Sequence, residues 1–269
     1  MGKNKLKKFS DMEQIDCVFQ YPFSVLKEHG FNLKGRWHSD YFHNDNPIVL
    51  ELGCGKGEYT VGLARRHPDR NFIGIDIKGA RMWTGATQAR DLNMTNVAFL
   101  RTNIELLSHF FAQGEVDSIW ITFPDPQMKK VRKRLTGTRF MNLYREVTSD
   151  GATINLKTDS PFLYTYTRSM VKLNSLTLLS DSPDLYADIK ENKDIDESLR
   201  SIRTFYEQQW LSRGLSIKYL SFALPSEGNL LEPDEDIPYD TYRSFARGSL
   251  QCPQLIDCEA IEDTTNPIV

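Results

Sequence analysis

The chain has 269 residues, 40% hydrophobic and 26% charged, with a mean hydropathy of −0.46, which suits a soluble protein able to bury one large core or two small ones. No apolar run approaches the length of a bilayer span, and the lysines at 3, 5, 7 and 8 are followed by no apolar segment of a secretory signal, so a cytoplasmic protein is expected. The net charge of −3 conceals an asymmetry: from Pro225 onward ten acids face two bases, leaving a tail of −8 and a body of +5.

Residues 1–45 mix aromatic and polar side chains without a strict period and read as an N-terminal segment. Ile48 to Leu52 is then a buried-strand run that opens into Gly53-Cys-Gly55-Lys-Gly57, and Glu58 to His67 reads as a helix stopped by Pro68. Asn71 to Asp76 is a second strand, Lys78 to Met94 a long helix, Val97 to Leu100 a third strand and Ile104 to Ala112 a short helix. Ser118 to Phe123 is a fourth strand broken by Pro124, and Thr138 to Ser149 is a helix ending at Asp150-Gly151. Ala152 to Leu156 is a fifth strand, and Pro161 opens a helix through about Val171. Strand and helix alternate with short connections, which predicts an α/β, doubly wound, mostly parallel sheet of Rossmann-like type. Beyond Lys172 the pattern loosens. Residues 182–201 are turn-rich, 203–213 read as a helix, and 215–224 as a late strand. These signals divide the chain into the N-terminal segment, a domain over 46–224, and an acidic, Pro-punctuated extension over 225–269 lying outside the core.

A strand that ends in glycines and opens a helix is a nucleotide-binding arrangement. Three acids indicate which nucleotide. Glu51 lies at the mouth of the first strand, Asp76 closes the second, and Asp125 follows the fourth, and strand ends of a doubly wound sheet converge on one crevice. A dinucleotide would set its anionic pyrophosphate beside Glu51. S-adenosylmethionine instead carries an ammonium and a sulfonium, which carboxylates attract. The cofactor reading is therefore S-adenosylmethionine, held by Glu51, Gly53, Gly55, Gly57, Asp76, Asn103 and Asp125, with a nicotinamide enzyme as the alternative. Cys17, Cys54, Cys252 and Cys258 form no CxxC pair and the five histidines no zinc-ligand spacing, so no metal is expected.

After Phe123-Pro-Asp-Pro126 the chain carries six bases and no acid between Lys129 and Arg139, at the rim of the predicted crevice. Such a run is either a solvated surface or a contact for nucleic-acid phosphates, and its position favours RNA, with Lys130, Arg132, Lys133 and Arg134 on the backbone.

These residues carry a resemblance. Glu51-Leu-Gly-Cys-Gly-Lys-Gly-Glu58, Phe72-Ile-Gly-Ile-Asp76, Phe123-Pro-Asp-Pro126 with its basic run, Leu156-Lys-Thr-Asp159 and Thr204-Phe-Tyr-Glu207 are similar to the tRNA (guanine-N7)-methyltransferase family over about 48–224. The resemblance implies transfer of a methyl group to N7 of a guanine in tRNA, guanine 46 of the variable loop. It also implies that Asp125 is catalytic and that Lys129, Asp159 and the stretch Thr204 to Glu207 bind the guanosine. Gln127 stands where the family commonly has an aromatic residue, the usual histidine of the basic run is missing, and Asn103 stands where an aspartate is frequent. Other readings are a methyltransferase for another RNA, a small molecule or a protein, and a non-catalytic RNA-binding protein. The sequence is compatible with a monomer or a homodimer.

Overall fold

A computed structural model describes residues 3–191 and 196–241. Strands β2 (Ile48–Leu52) and β3 (Asn71–Ile75) are buried at every position, because both faces of a central parallel sheet are covered by helices and the strands must be apolar throughout. With β1 (Val18–Gln20), β4 (Val97–Arg101), β5 (Val116–Thr122), β6 (Thr148–Thr158), β7 (Leu178–Ser182) and β8 (Lys218–Leu224) they form one sheet of eight strands in the order β1-β4-β3-β2-β5-β6-β8-β7. Only the pairings of β8, with β6 and β7, are antiparallel. From β2 the chain winds through β3 and β4 to one side, then returns as β5 to the other side of β2. The boundary between β2 and β5 is thus the switch point, where a doubly wound sheet opens a crevice at its carboxyl ends.

The alternating elements match the sequence reading: α3 (Glu58–Arg66) follows β2, α4 (Gly79–Asp91) follows β3, and α7 (Pro161–Leu173) follows β6. Three features go beyond the elements read from the sequence. First, residues 3–45 contribute elements of their own. Helix α1 (Lys3–Met12) packs on α4, and β1 joins the sheet edge with Val18 opposite Phe99. Helix α2 (Phe23–His29) and the turn Trp37–Phe42 follow, and Trp37, fully buried, stacks on Phe111 at 5.6 Å and donates its indole N–H to the Phe110 carbonyl. An aromatic cluster and a three-residue strand leave no period to read.

Second, α6 (Thr138–Arg145) ends earlier and β6 begins earlier than the Asp150-Gly151 turn signal implied. That pair instead sits in a register shift between β5 and β6, with Gly151 at φ 72°.

Third, the extension does not leave the core at Pro225. It runs as a strap over α6 and α7. The Arg145 guanidinium donates to the carbonyls of Pro225, Glu227 and Gly228 at 2.6–2.8 Å, Asn174 and Leu231 exchange two hydrogen bonds, and Ile237 is buried. Bonds from side chains to an irregular backbone hold it, so hydropathy gave no sign of it. Cys252, Cys258 and the acids at 257, 259, 262 and 263 lie outside the described residues. Among the described residues no helix is long and apolar enough to cross a membrane, and no cluster of His, Cys, Asp or Glu could hold a metal.

Candidate active site

The loop after β2 has Gly53, Gly55 and Gly57 at φ 77°, 56° and 72°, a region that costs other residues strain. Two of these glycines have different reasons. A Cβ on Gly57 would strike the Phe99 ring at 2.6 Å, so packing forbids it, whereas one on Gly53 would meet nothing within 4 Å and would project into the open crevice. Asp76, one residue beyond β3, accepts from the Gly55 N–H at 2.9 Å and the Lys78 N–H at 2.7 Å, which ties the glycine loop to the neighbouring strand end. A cavity of about 480 Å³ opens here, lined by Gly53, Asp76, Ile77, Asn103, Asp125 and Phe140 among others. Asn103, exposed beyond β4, also borders a second cavity of about 530 Å³ walled by Gln20, Tyr21 and Pro22.

Glu51 lies beneath this floor, 3% exposed. One oxygen accepts from the Thr60 N–H at 2.8 Å and from the Thr60 hydroxyl, and the other from the Thr122 hydroxyl at 2.8 Å. Burial pushes its carboxyl up to about 7 against these hydrogen bonds, and the Asp76 charge adds to the rise. Within the protein these bonds make Glu51 a link between β2, α3 and β5.

Asp125 sits where the chain leaves β5, exposed to the cavity. Its turn is bracketed by two non-glycine residues in the left-handed region, Phe123 at φ 48° and Gln127 at φ 47°. Backbone strain of this kind persists only where the surroundings over-determine it. The Asp125 carboxylate accepts from the Gln127 N–H at 3.0 Å, closing the turn on itself. Beyond it the basic run forms a loop with a single 3-10 turn at Val131–Lys133, and Lys129, Lys130, Arg132 and Lys133 are exposed along it. Arg134 is not. It is 6% exposed, donates to the carbonyls of Gln127 and Met128, and stacks on Phe162 and Tyr166. With these partners its guanidinium braces the turn at Gln127 and Met128.

The residues expected to bind the guanosine separate into two groups. Lys129 is exposed beside the cavity loop. Asp159, Thr204 and Glu207 are buried, at 0%, 7% and 0% exposure. Thr204 caps α10 (Phe205–Leu211) in a reciprocal capping box with Glu207. The Glu207 carboxylate pairs with Lys157 at 2.7 Å, both side chains fully buried, and accepts from the Tyr186 hydroxyl at 2.8 Å. Lys157 also donates to the Leu199 and Ile202 carbonyls. The Leu156-Lys-Thr-Asp159 and Thr204-Phe-Tyr-Glu207 motifs thus meet in the interior, through Lys157 and Glu207. Lys157 escaped the sequence reading, although a lysine inside the apolar run of β6 was a signal for a buried partner. Phe205, inside the stretch expected to bind the guanosine, is placed at the surface. It is 46% exposed, its N–H donates to Glu58, and the Lys56 ammonium lies 4.1 Å over its ring.

Open backbone at Gly53, a carboxylate at the β3 end and a carboxylate across the cavity fit a nucleoside with a cationic tail, and so fit S-adenosylmethionine. Charge-assisted hydrogen bonds contribute about 1.5–3 kcal/mol each. Asp76→Ala is thus expected to weaken S-adenosylmethionine binding by an order of magnitude or more while the chain stays folded. Calorimetric titration checks this, and unchanged affinity would remove Asp76 from the site.

A family model described as "Putative methyltransferase" matches residues 45–220. The tRNA (guanine-N(7)-)-methyltransferase of Bacteroides fragilis is 57% identical over 247 residues, 92% of this chain and 96% of that protein. The protein of the same name from Porphyromonas gingivalis is 61% identical over 239 residues, 88% of this chain and 96% of that one. Among solved structures, the 16S rRNA (adenine(1408)-N(1))-methyltransferase from Catenulisporales acidiphilia aligns with a TM-score of 0.50 at 16% identity, covering 71% of this chain and 93% of that one, a likeness of fold. With the identity to its bacterial relatives extending over nearly their whole length, the chain belongs to the tRNA (guanine-N7)-methyltransferase family.

Proposed function

We propose that the chain transfers a methyl group from S-adenosylmethionine to N7 of a guanine in tRNA, guanine 46 of the variable loop, and works in the cytoplasm. The observation that carries this reading is the juxtaposition of Asp76, the open glycine loop and Asp125 around one cavity whose outer rim is the basic loop.

S-adenosylmethionine supplies an electrophilic methyl group on a sulfonium. Guanine N7 already has a lone pair, so the chain needs no base to create a nucleophile, and its task is alignment. Asp76, Gly53 and Asn103 hold the donor. Asp125, at the opposite wall, faces the purine. As methylation makes the purine cationic, the Asp125 carboxylate gains attraction that is weaker in the ground state. One of its oxygens accepts from the Gln127 N–H and the flanking prolines restrict the backbone, so little reorganisation accompanies the change in charge. A stacked base must leave its stack to reach such a cavity. Lys129, Lys130, Arg132 and Lys133 then contribute affinity through phosphates without reading sequence.

If these four exposed charges meet phosphates, they contribute roughly −2.8 to the slope of log K against log salt, at about −0.7 per contact. Replacing all four by Ala should flatten the slope by that amount and leave S-adenosylmethionine binding unchanged. Filter binding over a range of salt concentrations measures it, and an unaltered slope would make the loop a solvated surface only. The activity itself is tested by offering labelled S-adenosylmethionine with bulk tRNA, ribosomal RNA or protein. Label is expected in the tRNA, and label only in another acceptor would replace the proposed substrate.

A further inference from the structure

The strap bears on the catalytic turn at two points, and both fall on the residues that directly follow Asp125-Pro126. The first is indirect. Glu232 accepts from the Tyr166 hydroxyl with one oxygen, and with the other from the Thr138 hydroxyl at 2.6 Å and N–H at 3.3 Å. Tyr166, 1% exposed, carries the Arg134 guanidinium 4.4 Å from its ring centre. Arg134 in turn donates to the Gln127 carbonyl at 3.2 Å and the Met128 carbonyl at 2.6 Å. The second point is direct. The Asp240 N–H lies 3.1 Å from the Met128 sulfur, while its carboxylate is anchored on the first turn of α7 by the Phe162 N–H at 3.0 Å and the Ser160 hydroxyl at 2.5 Å.

A residue with a side chain at φ 47° does not hold that conformation unaided. Gln127 does so with its carbonyl bound to Arg134 and its N–H bound to Asp125. The two bonds fix the backbone on one side and the Asp125 carboxylate on the other. Arg134 could hold its place against the Phe162 and Tyr166 rings alone, but Tyr166 is itself pinned by Glu232 of the strap.

We propose that the strap over residues 225–241 is a positioning element of the active site, in which Glu232, through Tyr166 and Arg134, and Asp240, at Met128, hold the turn that aims Asp125. The inference rests on the reading that Asp125 acts at the transferred methyl. It gives the described part of the acidic extension a role that charge alone does not: the Glu232 and Asp240 carboxylates accept from hydroxyls and amides that order the catalytic loop, and the strap is part of the enzyme.

The test uses the full chain with Glu232→Ala, Glu232→Gln and Tyr166→Phe. Amide hydrogen exchange is followed over residues 125–134, where Gln127, Lys130, Lys133 and Arg134 have bonded N–H groups. Single-turnover methyl transfer is measured at saturating S-adenosylmethionine and tRNA. Glu232→Ala should speed exchange in this segment roughly tenfold and slow transfer by about the same factor, with S-adenosylmethionine affinity within about twofold of the parent. Glu232→Gln, which still accepts from Tyr166, should recover most of both. Unchanged exchange over 125–134 in folded Glu232→Ala overturns the proposal, as does a rate loss matching only the fraction unfolded. If Glu232→Ala does not fold, Tyr166→Phe carries the same test, since it removes the hydroxyl and keeps the ring under Arg134. Should the parent chain methylate no tRNA, the activity reading fails by itself, and the exchange measurement still decides whether the strap orders the turn.

Discussion

Asp125→Ala is expected to lower kcat and kcat/KM together, by about 10²–10³, in methyl-transfer assays over a range of tRNA concentrations at saturating S-adenosylmethionine. The equal loss follows from where the carboxylate acts. It lines the same cavity as Asp76, and its removal leaves the glycine loop, the Asp76 bonds to Gly55 and Lys78, and the exposed lysines untouched. Binding of RNA should therefore change little and the donor should lose one charge contact, which saturation offsets, while the charge that develops on the purine loses its counterpart. Asp125→Asn keeps a side-chain oxygen for the Gln127 N–H and so preserves the turn. It lacks the negative charge and should fall between the parent and the Ala variant. An Ala variant turning over at nearly the parent rate would remove Asp125 from the catalytic role. A rise in KM with unchanged kcat would make it a binding residue only.

The second large effect concerns stability. Lys157 and Glu207 are both fully buried, 2.7 Å apart, and join β6 to the capping box of α10. Burial drives the Lys157 ammonium below its ordinary pKa, and the Glu207 carboxylate opposes that shift. Removing one partner leaves a charge without its counterion, a loss of about 3–5 kcal/mol. Glu207→Ala should therefore lower the urea midpoint sharply. The double variant Lys157→Met with Glu207→Leu replaces the pair by apolar groups of similar size and should recover a large part of that loss. Urea titration of the two variants checks both statements. A Glu207→Ala chain with a midpoint close to the parent's would mean that the pair is solvated, contrary to its burial. Because Phe205, the first residue of α10, contacts Lys56 of the glycine loop and Glu58 at the start of α3, loss of the pair should also loosen the rim of the cavity.

The parallel core was legible because its chemistry is repetitive. Buried strands such as β2 and β3 are continuous apolar runs, and the helices after them are bounded by Gly57 and Pro68. Asp76, Asn103 and Asp125 were legible for a related reason: in a doubly wound sheet, a polar residue just past a strand places itself at the crevice. What escaped was whatever depends on long-range partners. Arg134 differs from Arg132 by two positions and by nothing in composition, yet one is exposed and the other lies against two rings and two carbonyls. Thr204 and Glu207 read as a ligand-binding motif, and the same spacing is that of a capping box. The strap was the largest miss, since acidic residues and prolines describe an unpacked tail equally well. Glu232 and Asp240 become intelligible only when Tyr166, Thr138, Ser160 and Phe162 stand opposite them.

The central claim is that the cavity between Asp76 and Asp125 delivers a methyl group to guanine N7 of tRNA. The most direct measurement incubates the purified chain with labelled S-adenosylmethionine and unmodified tRNA, digests the product to nucleosides and identifies the labelled one by mass and chromatography. The expected result is label in 7-methylguanosine alone, mapping to the variable loop when the tRNA is fragmented first. Label in any other nucleoside, or none with a folded chain that binds S-adenosylmethionine, would contradict it.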